Sequence, residues 1–364
     1  MKFGISKESF LKGLQQVQSV ISIHSTLPIL FNVLIKAEKQ KLSLMATDLA
    51  VSIRCNVEAN IKKTGASTFP ARRLLSIVRE LPQEEVEVEV TDSNVASIQC
   101  GSSDYKIFGL AADEFPPLPA FDESRTITIN QGTFKEMLKK TVYAASIDEG
   151  RQNLNGIMLG MREQKLTMVA TDGRRLALVE QEIEVAPDMQ SDLIIPTKTV
   201  NELIKVLGDE ETVKIQALPN MVAFDMGEVL VTSKLIEGSY PNFKQVIPSQ
   251  CEERIAVDRE NLLAAIRRVA LLTSEKNPSV KLTFAKNQVQ IVVVTPDVGE
   301  ARESIPIKYT GKSISMAFNP EFLMDPLRNL TSDEVAIELV DELSPAVIKC
   351  DIPFLYVLMP LRLN

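Results

Sequence analysis

The chain has 364 residues, a length that accommodates about two to three domains of ordinary size. Hydrophobic residues make up 45% and charged residues 24%, which is the balance of a globular protein with enough apolar side chains to fill several cores. The 40 Lys and Arg residues face 48 Asp and Glu residues, so the formal net charge is −8. Taken over the whole chain, this charge argues against a nucleic-acid-binding protein, since such proteins usually carry a basic surplus. The sum does not show where the charges lie.

The residues that most enzymes and metal sites use are scarce. The four cysteines are far apart and form no CxxC pair, and the chain has a single histidine, His24, so we expect no metal, no cofactor and no disulfide framework. No glycine-rich GxGxxG or GxxxxGK(S/T) loop is present to hold a phosphate. No apolar run approaches the roughly 18 residues of a membrane span. The first residues are interrupted by Lys7, Glu8 and Lys12 and lack the apolar stretch of a signal peptide, so we expect none. We therefore expect a cytoplasmic protein that has no catalytic residues and is not an enzyme.

The sequence repeats itself. KLSLMATDLAVSI (41–53) returns as KLTMVATDGRRLAL (165–178), and Thr47, Thr171 and Thr295 follow one another at intervals of 124 residues. Such self-similarity indicates repeated structural units.

In chain order, each copy opens with a short alternating strand (KFGIS, TITIN or RIAVD) and continues with an amphipathic helical pattern. The apolar residues recur on one helix face, with Phe10, Phe134 and Leu262 at matching places. A second helix follows a proline in each copy, and proline suits a first helical turn because the N–H it lacks has no partner there. The six predicted helices cover 6–21, 70–81, 130–146, 196–207, 258–274 and 319–330.

Short alternating strands fill the rest of each copy, so each is predicted to be an α+β unit with two helices covering antiparallel sheet. Proline-rich segments at 113–121 and 238–248 are interpreted as linkers. The predicted domains are 1–122, 123–250 and 251–364.

The order of the motifs is more specific than any one motif. Along its full length the chain closely resembles the bacterial DNA polymerase III β subunits, the β sliding clamps. The residues that carry the resemblance are MKF at the start, LPIL (27–30), ATD (46–48), PAR (70–72), FP (115–116), LNG (154–156), ATDGRRLA (170–177), TSKL (232–235), YPNF (240–243), SEK (274–276) and YVLMPLRL (356–363).

This resemblance implies three clamp domains per chain and a closed ring formed by two chains head to tail, since head-to-tail contacts either close or polymerise. The ring would encircle duplex DNA without sequence preference and tether the replicative polymerase, conferring processivity. The implied partners are double-stranded DNA, a second copy of the chain, the catalytic subunit of the replicative polymerase, a clamp loader and other replication and repair proteins that carry a clamp-binding motif.

Basic residues recur in register on the predicted helices. In the second helices, Arg72 and Arg79 lie opposite the apolar face, and Lys198 and Lys205 occupy the same places in the next copy. An ordinary solvated helix face is the alternative interpretation.

The resemblance also implies DNA contacts from two loops, which here carry His24 and Arg151-Gln152-Asn153. The expected DNA-binding residues are Arg72, Arg79, Lys139, Lys140, Arg151, Lys198, Lys205, Arg267 and Arg268.

The family binds short extended partner peptides in an apolar pocket. Gln245 and Asn277 differ from the residues expected at its rim. The pocket residues implied by the resemblance are Leu154, Thr171, Gly173, Arg174, Arg175, Leu176, Pro241, Val246, Asn319, Phe322, Leu343, Ser344, Val357, Leu358, Met359, Pro360, Leu361 and Arg362. From the residues alone, Gly173 permits a tight turn, and we expect that turn to project Arg174 and Arg175 near the segment 238–248.

The same resemblance places the dimer contact at Tyr105 and Ile107, on an edge strand of the first domain, and at Leu271 and Leu272 in the third.

Two other functions remain open: a cytosolic enzyme that uses Asp48, Asp172 and Arg174-Arg175 on a phosphorylated substrate, and a protein–protein scaffold that does not meet DNA. If the chain is a clamp, its basic helix faces must lie toward DNA and its acidic residues elsewhere.

Overall fold

The computed structural model describes residues 1–21, 25–82, 85–117, 121–274, 276 and 278–362. His24 and Asn277, which the sequence analysis singled out, lie outside these ranges.

In the described part of the first repeat, nine strands accompany two helices. They are β1 (Lys2–Ser6), α1 (Lys7–Gln18), β2 (Asn32–Glu38), β3 (Lys41–Thr47), β4 (Val51–Glu58), β5 (Asn60–Lys63), β6 (Gly65–Pro70), α2 (Ala71–Glu80), β7 (Glu85–Val90), β8 (Val95–Cys100) and β9 (Ser103–Phe108).

The second repeat has eight strands and two helices within the described residues: β10 (Ile127–Asn130), α3 (Gln131–Val142), β11 (Gly156–Arg162), β12 (Lys165–Thr171), β13 (Arg175–Glu182), β14 (Ser191–Pro196), α4 (Thr197–Val206), β15 (Thr212–Leu218), β16 (Met221–Asp225) and β17 (Val229–Lys234).

The third repeat follows the same order over its described ranges: β18 (Glu253–Asp258), α5 (Arg259–Ala270), β19 (Val280–Ala285), β20 (Gln288–Thr295), β21 (Gly299–Pro306), β22 (Ile314–Phe318), α6 (Pro320–Asn329), β23 (Glu334–Leu339), β24 (Ala346–Lys349) and β25 (Phe354–Leu358).

All six predicted helices and the α+β organisation are confirmed. The matched residues Phe10, Phe134 and Leu262 are each completely buried, as a repeated core position requires. No helix among the described residues is long and apolar enough to cross a membrane.

The sheets are antiparallel, and two of them join strands from neighbouring repeats. In one eight-stranded sheet, β17 pairs with β4, and in the other, β13 pairs with β25. A five-stranded sheet ends in β9, and a four-stranded sheet has the order β21-β20-β19-β22.

The chain forms two compact units, and both take residues from the second repeat. The first unit comprises 1–135 and 198–235, and the second comprises 136–197 and 236–364. The repeats are therefore not three separately closed cores, because the strands of the central repeat complete sheets in both units.

The first helix illustrates how each helix is held on its sheet. The Ser6 hydroxyl caps α1 by accepting the N–H of Ser9 at 3.2 Å. The buried face of the helix packs on β3 and β4, and a Cβ at Gly13 would lie 2.7 Å from a methyl group of Leu44. The close approach of helix and sheet thus requires glycine at this position.

Candidate functional site

Two hairpin turns of the same design lie at equivalent places in the first two repeats. Asp48 Oδ1 accepts two backbone N–H groups at 2.9 and 2.7 Å, and Asp172 Oδ1 accepts two at 2.8 and 3.0 Å. The next residue is left-handed in both turns, with φ of 74° at Leu49 and 86° at Gly173. An aspartate that accepts N–H groups from the residues after it stabilises a turn. The repeated ATD motif is therefore a turn motif in this chain.

The second carboxylate oxygens of these aspartates form ion pairs. Asp48 pairs with Lys198, and Asp172 accepts a hydrogen bond from Arg175 Nε at 3.1 Å. Burial alone would raise the pKa of Asp48, but hydrogen bonds from Lys198 and from the backbone outweigh burial, so its pKa lies below the ordinary value. Both carboxylates that the enzyme hypothesis would use are thus engaged by the chain itself.

Arg175 is the centre of a polar cluster in the second unit. Its guanidinium forms ion pairs with Asp172 and Asp325, donates to the backbone carbonyl of Tyr143, and lies 4.1 Å from the centroid of the Phe322 ring. The side chain is only 10% exposed. The expectation that Arg175 projects from the turn is therefore wrong, because two carboxylates and an aromatic ring hold it inward.

Arg174, by contrast, is exposed, and its backbone begins the contact with the carboxyl-terminal strand. The Arg174 carbonyl accepts the N–H of Met359 at 3.0 Å, and β13 then runs antiparallel to β25. This pairing brings the ATDGRRLA and YVLMPLRL segments together, although about 180 residues separate them along the chain.

The side chains under this strand pair form the floor of the candidate pocket. Leu176 and Val357 are register partners and are 1% and 2% exposed. They pack with Met158 and Val169 in one apolar cluster. Leu358, 1% exposed, belongs to the core as well, so these predicted pocket residues form the base of the site and not its open surface.

The open apolar surface comes from loops and from the end of the chain. Pro241 and Arg362 are exposed and Pro360 is half-buried. The backbone N–H of Leu361 donates to the Ala317 carbonyl at 2.7 Å, which anchors the chain end to β22. The exposed apolar side chains among the predicted pocket residues are Val246 (48%), Leu343 (74%), Met359 (43%) and Leu361 (40%).

The segment 238–248, interpreted as a linker, is packed against the pocket. The Tyr240 hydroxyl accepts the backbone N–H of Thr171 at 3.0 Å, and burial raises the pKa of that hydroxyl. Phe243 and Ile247 pack on the apolar cluster. The segment does lie between the second and third repeats, but three apolar side chains pack it on the apolar cluster, so it is a packed connection and not a free linker. Sequence reasoning missed these three residues, although two of them belong to the YPNF motif.

Side-chain hydrogen bonds hold two more parts of the predicted pocket in the second unit, the start of α6 and the loop that carries Leu343 and Ser344. Asn319 caps α6, with its side-chain oxygen accepting the N–H of Glu321 at 2.9 Å. Asp341 accepts the N–H groups of Leu343 and Ser344 at 2.8 and 2.6 Å, which fixes the loop that presents Leu343.

The loop before β11 connects a predicted DNA contact to the pocket turn. Arg151 Nη1 donates to the Asp172 carbonyl at 3.3 Å, and Asn153 donates to the Ser239 carbonyl at 3.2 Å. Leu154 is buried at the end of this loop. The structure therefore brings Arg151 beside the ATDGRRLA turn, a juxtaposition that the sequence did not predict.

The predicted DNA-binding cations fall into two groups. Arg72, Arg79 and Arg267 are exposed and form no ion pair within 4 Å with any residue in the described ranges. The others lie beside carboxylates: Lys139 and Lys140 at Glu136 (3.0 and 3.6 Å), Lys198 at Asp48, Lys205 at Glu202 (2.8 Å), Arg268 at Glu303 (2.6 Å) and Arg151 at Asp148 (3.8 Å).

Lys140 departs most from expectation, because it is only 9% exposed. Its stem is covered and its ammonium group lies beside Glu136, so within one chain it presents little charge to a ligand. In α6, Phe322 and Asn329 replace the basic pair of the other second helices, and Phe322 packs on Arg175 instead.

The predicted dimer residues lie at or near sheet edges. β9 is the last strand of its sheet, and Tyr105 on it is 38% exposed. Ile107, however, is 6% exposed and packs in the core of its own unit, so its side chain is not available as predicted. The most exposed apolar residue of β9 is Phe108, at 75%, which the sequence analysis did not single out.

Leu271, which follows α5, is 82% exposed, and Leu272 is half-buried. The Leu272 carbonyl accepts the Thr295 hydroxyl, which ties this corner to the β20–β21 hairpin. Val294 and Val298 in the same hairpin are 67% and 63% exposed. This apolar corner lies beside β21, an edge strand of its sheet.

Comparisons with known proteins cover the whole chain. Three family models match in tandem: DNA polymerase III beta subunit, N-terminal domain, at 1–119, central domain at 128–242 and C-terminal domain at 244–362. A beta sliding clamp of Chlamydia muridarum is 33% identical over 364 residues, covering 100% of both chains.

Solved structures agree with this match. The DnaN sliding clamp of Bartonella birtlesii bound to griselimycin is 34% identical with a TM-score of 0.94, and the DNA polymerase sliding clamp of Bacillus subtilis is 29% identical with a TM-score of 0.96. Each comparison covers 100% of this chain and of the other.

Proposed function

This chain belongs to the DNA polymerase III beta subunit family, the sliding clamps of DNA replication, and from that membership we propose that two copies close head to tail around duplex DNA. The observation that carries the proposal is the tandem match of three clamp domains over the full chain. The domain limits 1–122, 123–250 and 251–364 are part of the proposal, as are the absence of catalysis and a cytoplasmic location.

Retention by a closed ring requires only weak contacts with DNA. The helix cations suit such contacts, because phosphate binding by Lys and Arg is independent of sequence and is reduced by salt. Exposed pairs such as Lys139–Glu136 contribute about 0–1 kcal/mol, so DNA phosphates can replace the carboxylate at little cost. Arg72, Arg79 and Arg267 form no ion pair with any described residue, so they can bind a phosphate without giving up a carboxylate partner.

The topological test loads the protein on nicked circular DNA with its clamp loader and then linearises the circle. A ring should slide off the free ends, so bound protein should be lost after cutting and kept on the intact circle. Protein that stays on linear DNA as long as on circular DNA would contradict the ring.

The pocket of the second unit is proposed as the site for partner peptides, including those of the polymerase and the clamp loader. An apolar floor, exposed apolar side chains at the rim and a few oriented polar groups are the usual form of a ligand site. Methionine at the rim adapts to ligands of different shape. The backbone of Arg174 and the capped end of α6 supply the polar boundary.

Replacing the exposed rim side chains tests this assignment. The double variant Met359→Ala with Leu361→Ala should abolish polymerase stimulation and spare dimerisation, because both side chains are about 40% exposed and add little to the core. Ile147→Ala, at a residue that is 98% exposed, is the matched control and should stimulate normally. Full stimulation by the double variant would refute the pocket.

For the dimer, we propose that β9 of one copy meets β21 of the other. Each is an edge strand with unpaired backbone groups, and an edge needs a cover. Both strands also carry charges of both signs, with Asp104 and Lys106 on β9 and Glu300 and Arg302 on β21. Tyr105, Phe108 and Leu271 would supply the apolar contacts, and Ile107 would contribute through its backbone.

A further inference from the structure

A concave site of about 630 Å³ lies in the first unit, on the sheet face opposite to α1. Leu42 and Leu44 of β3 are buried on the helix side. Side chains alternate across a strand, so Ser43 and Met45 point to the other face, where Arg54 and Asn56 of β4 join them. The complete lining is Lys36, Glu38, Lys39, Gln40, Lys41, Ser43, Met45, Arg54 and Asn56.

The charges of this site do not balance within the chain. Four cations and one carboxylate line it, and none of the four forms an ion pair within 4 Å with a residue in the described ranges. Lys41 lies opposite Glu38 and Glu58 in the strand register, yet it pairs with neither. The lining thus keeps an excess of three positive charges in a chain whose net charge is −8.

Two polar atoms at this face lack partners. Ser43 Oγ and Arg54 Nε are both shielded from solvent, and neither has a hydrogen-bond partner among the described residues. The two side chains are diagonal neighbours on adjacent strands, since Ser43 is opposite Asn56 and Arg54 is opposite Met45. Buried polar atoms are almost always hydrogen-bonded. A guanidinium N–H beside a hydroxyl is a pair of groups that the oxygens of an anion satisfy.

The lining also restricts the kind of anion. It contains no aromatic ring that could stack on a nucleobase, and Met45 is its one large apolar side chain. The volume falls within the roughly 300–1,000 Å³ of small-molecule sites. Three excess charges, supplied by Arg and Lys, match a ligand with several phosphate charges better than a single carboxylate.

We propose that this site binds an oligophosphate chain, either free or as the phosphate part of a nucleotide. Arg54 and Ser43 would hold one phosphoryl group at the floor once the side chains that shield Arg54 Nε and Ser43 Oγ move aside, and Lys36, Lys39 and Lys41 would neutralise the rest. The site uses none of the residues assigned to DNA, to partner peptides or to the dimer, so it stands or falls independently of those proposals.

Isothermal titration of the full chain with sodium tripolyphosphate at low salt tests the proposal. We expect one ligand per chain, and binding about tenfold or more weaker for Lys39→Ala with Lys41→Ala, since each lost cation removes a charge-assisted contact. Both lysines are exposed, so the fold should be kept. Lys63→Ala, an exposed unpaired lysine on β5, is the matched control and should bind as the parent chain does.

Ser43→Ala supplies a second variant, which removes the floor hydroxyl and leaves the charge unchanged. Weaker tripolyphosphate binding by this variant would support a built site over general attraction to lysines. Absence of binding by the parent chain, or equal weakening by Lys63→Ala, would overturn the proposal. A nucleoside triphosphate that binds as tightly as tripolyphosphate would identify the ligand as a nucleotide, and one that binds much more weakly would identify a free oligophosphate.

Discussion

At the scale of single residues, Arg175 connects several parts of the second unit. Its side chain joins the Asp172 turn to α6, where it pairs with Asp325 and stacks on Phe322. Removing one member of a largely buried ion pair leaves the other charge without compensation.

We therefore predict that Arg175→Ala lowers the free energy of unfolding by about 3 kcal/mol, because Asp172 and Asp325, whose side chains are 16% and 20% exposed, would each lose the largely buried guanidinium that pairs with them. The neighbouring Arg174→Ala should change it by less than about 0.5 kcal/mol, since that side chain is exposed. Urea denaturation of the two variants measures both values. Equal losses would show that the cluster does not stabilise the unit.

The ionisation of Asp48 makes the stability of the fold depend on pH, and the lowered pKa gives the direction of this dependence. Its pKa is lowered in the folded chain, so its contribution to stability is present above the ordinary carboxyl value of 3.8 and is lost as the pH falls through the lowered pKa. The contribution of the Lys198 pair is at most about 1 kcal/mol, because Lys198 is half exposed and solvent screens it.

We expect Asp48→Asn to be less stable than the parent chain at neutral pH and the difference to shrink as the pH falls below 3.8 and through the lowered pKa of Asp48. Asparagine keeps the oxygen that accepts the turn N–H groups and removes the charge. Denaturant unfolding across pH 2 to about 7 tests this prediction. A difference that persists at the acid end would mean that the charge of Asp48 is not its cause.

At the scale of elements, the helix caps give a matched pair in the third repeat. Asn319 caps α6 and Asp258 caps α5, and each side-chain oxygen accepts a backbone N–H at 2.9 or 2.8 Å. Replacing either residue by alanine should lower the free energy of unfolding by about 1 kcal/mol.

The two caps should differ in partner binding, which can be measured by titrating a labelled clamp-binding peptide. Asn319 is one of the proposed pocket residues and Asp258 is not, so only Asn319→Ala should lower the affinity for the peptide. Equal peptide affinity in the two variants would restrict Asn319 to its capping role.

At the scale of the whole molecule, the proposed dimer depends on the edges of β9 and β21. Phe108 and Leu271 are 75% and 82% exposed in the single chain, and a contact between copies would cover them. We predict that Leu271→Lys lowers dimer affinity by at least about tenfold, because a buried lysine without a partner is costly. Ile147→Lys, at a residue 98% exposed and outside the proposed contact, is the control. Analytical ultracentrifugation measures both, and an unaltered dimer of Leu271→Lys would contradict the proposed contact.

Much of the local structure was predictable, since helices and strands follow from periodicity in neighbouring residues. The six helices and the alternating strands agree with the predicted segments, and the 124-residue step places Phe10 and Phe134 in equivalent cores. The ATD motif could be found as a repeat, but its use as a turn became visible only when the backbone N–H groups were located around Asp48 and Asp172.

The candidate site was less predictable, because burial of a charged side chain depends on its neighbours in space. Arg175 and Lys140 looked like exposed cations, yet both are covered and lie beside carboxylates. The resemblance placed Ile107 at the dimer contact, but its side chain lies in the core of its own unit, and the 238–248 segment was interpreted as a linker and is packed. For Arg175 and for the 238–248 segment, contacts with residues distant in the chain decide the outcome.

By itself, the sequence determined the threefold repetition, the six helices, the class of fold and, through its ordered motifs, the family, because these depend on local pattern and on residue identity. Tertiary structure alone decided which strands join across repeats, as β17 with β4 and β13 with β25, and which cations remain free. Strand pairing satisfies backbone groups that are the same in every residue, so its long-range partners are not written in any local pattern. The net charge of −8 is a sum over the whole chain, so it does not reveal that three excess positive charges lie together on one sheet face of the first unit.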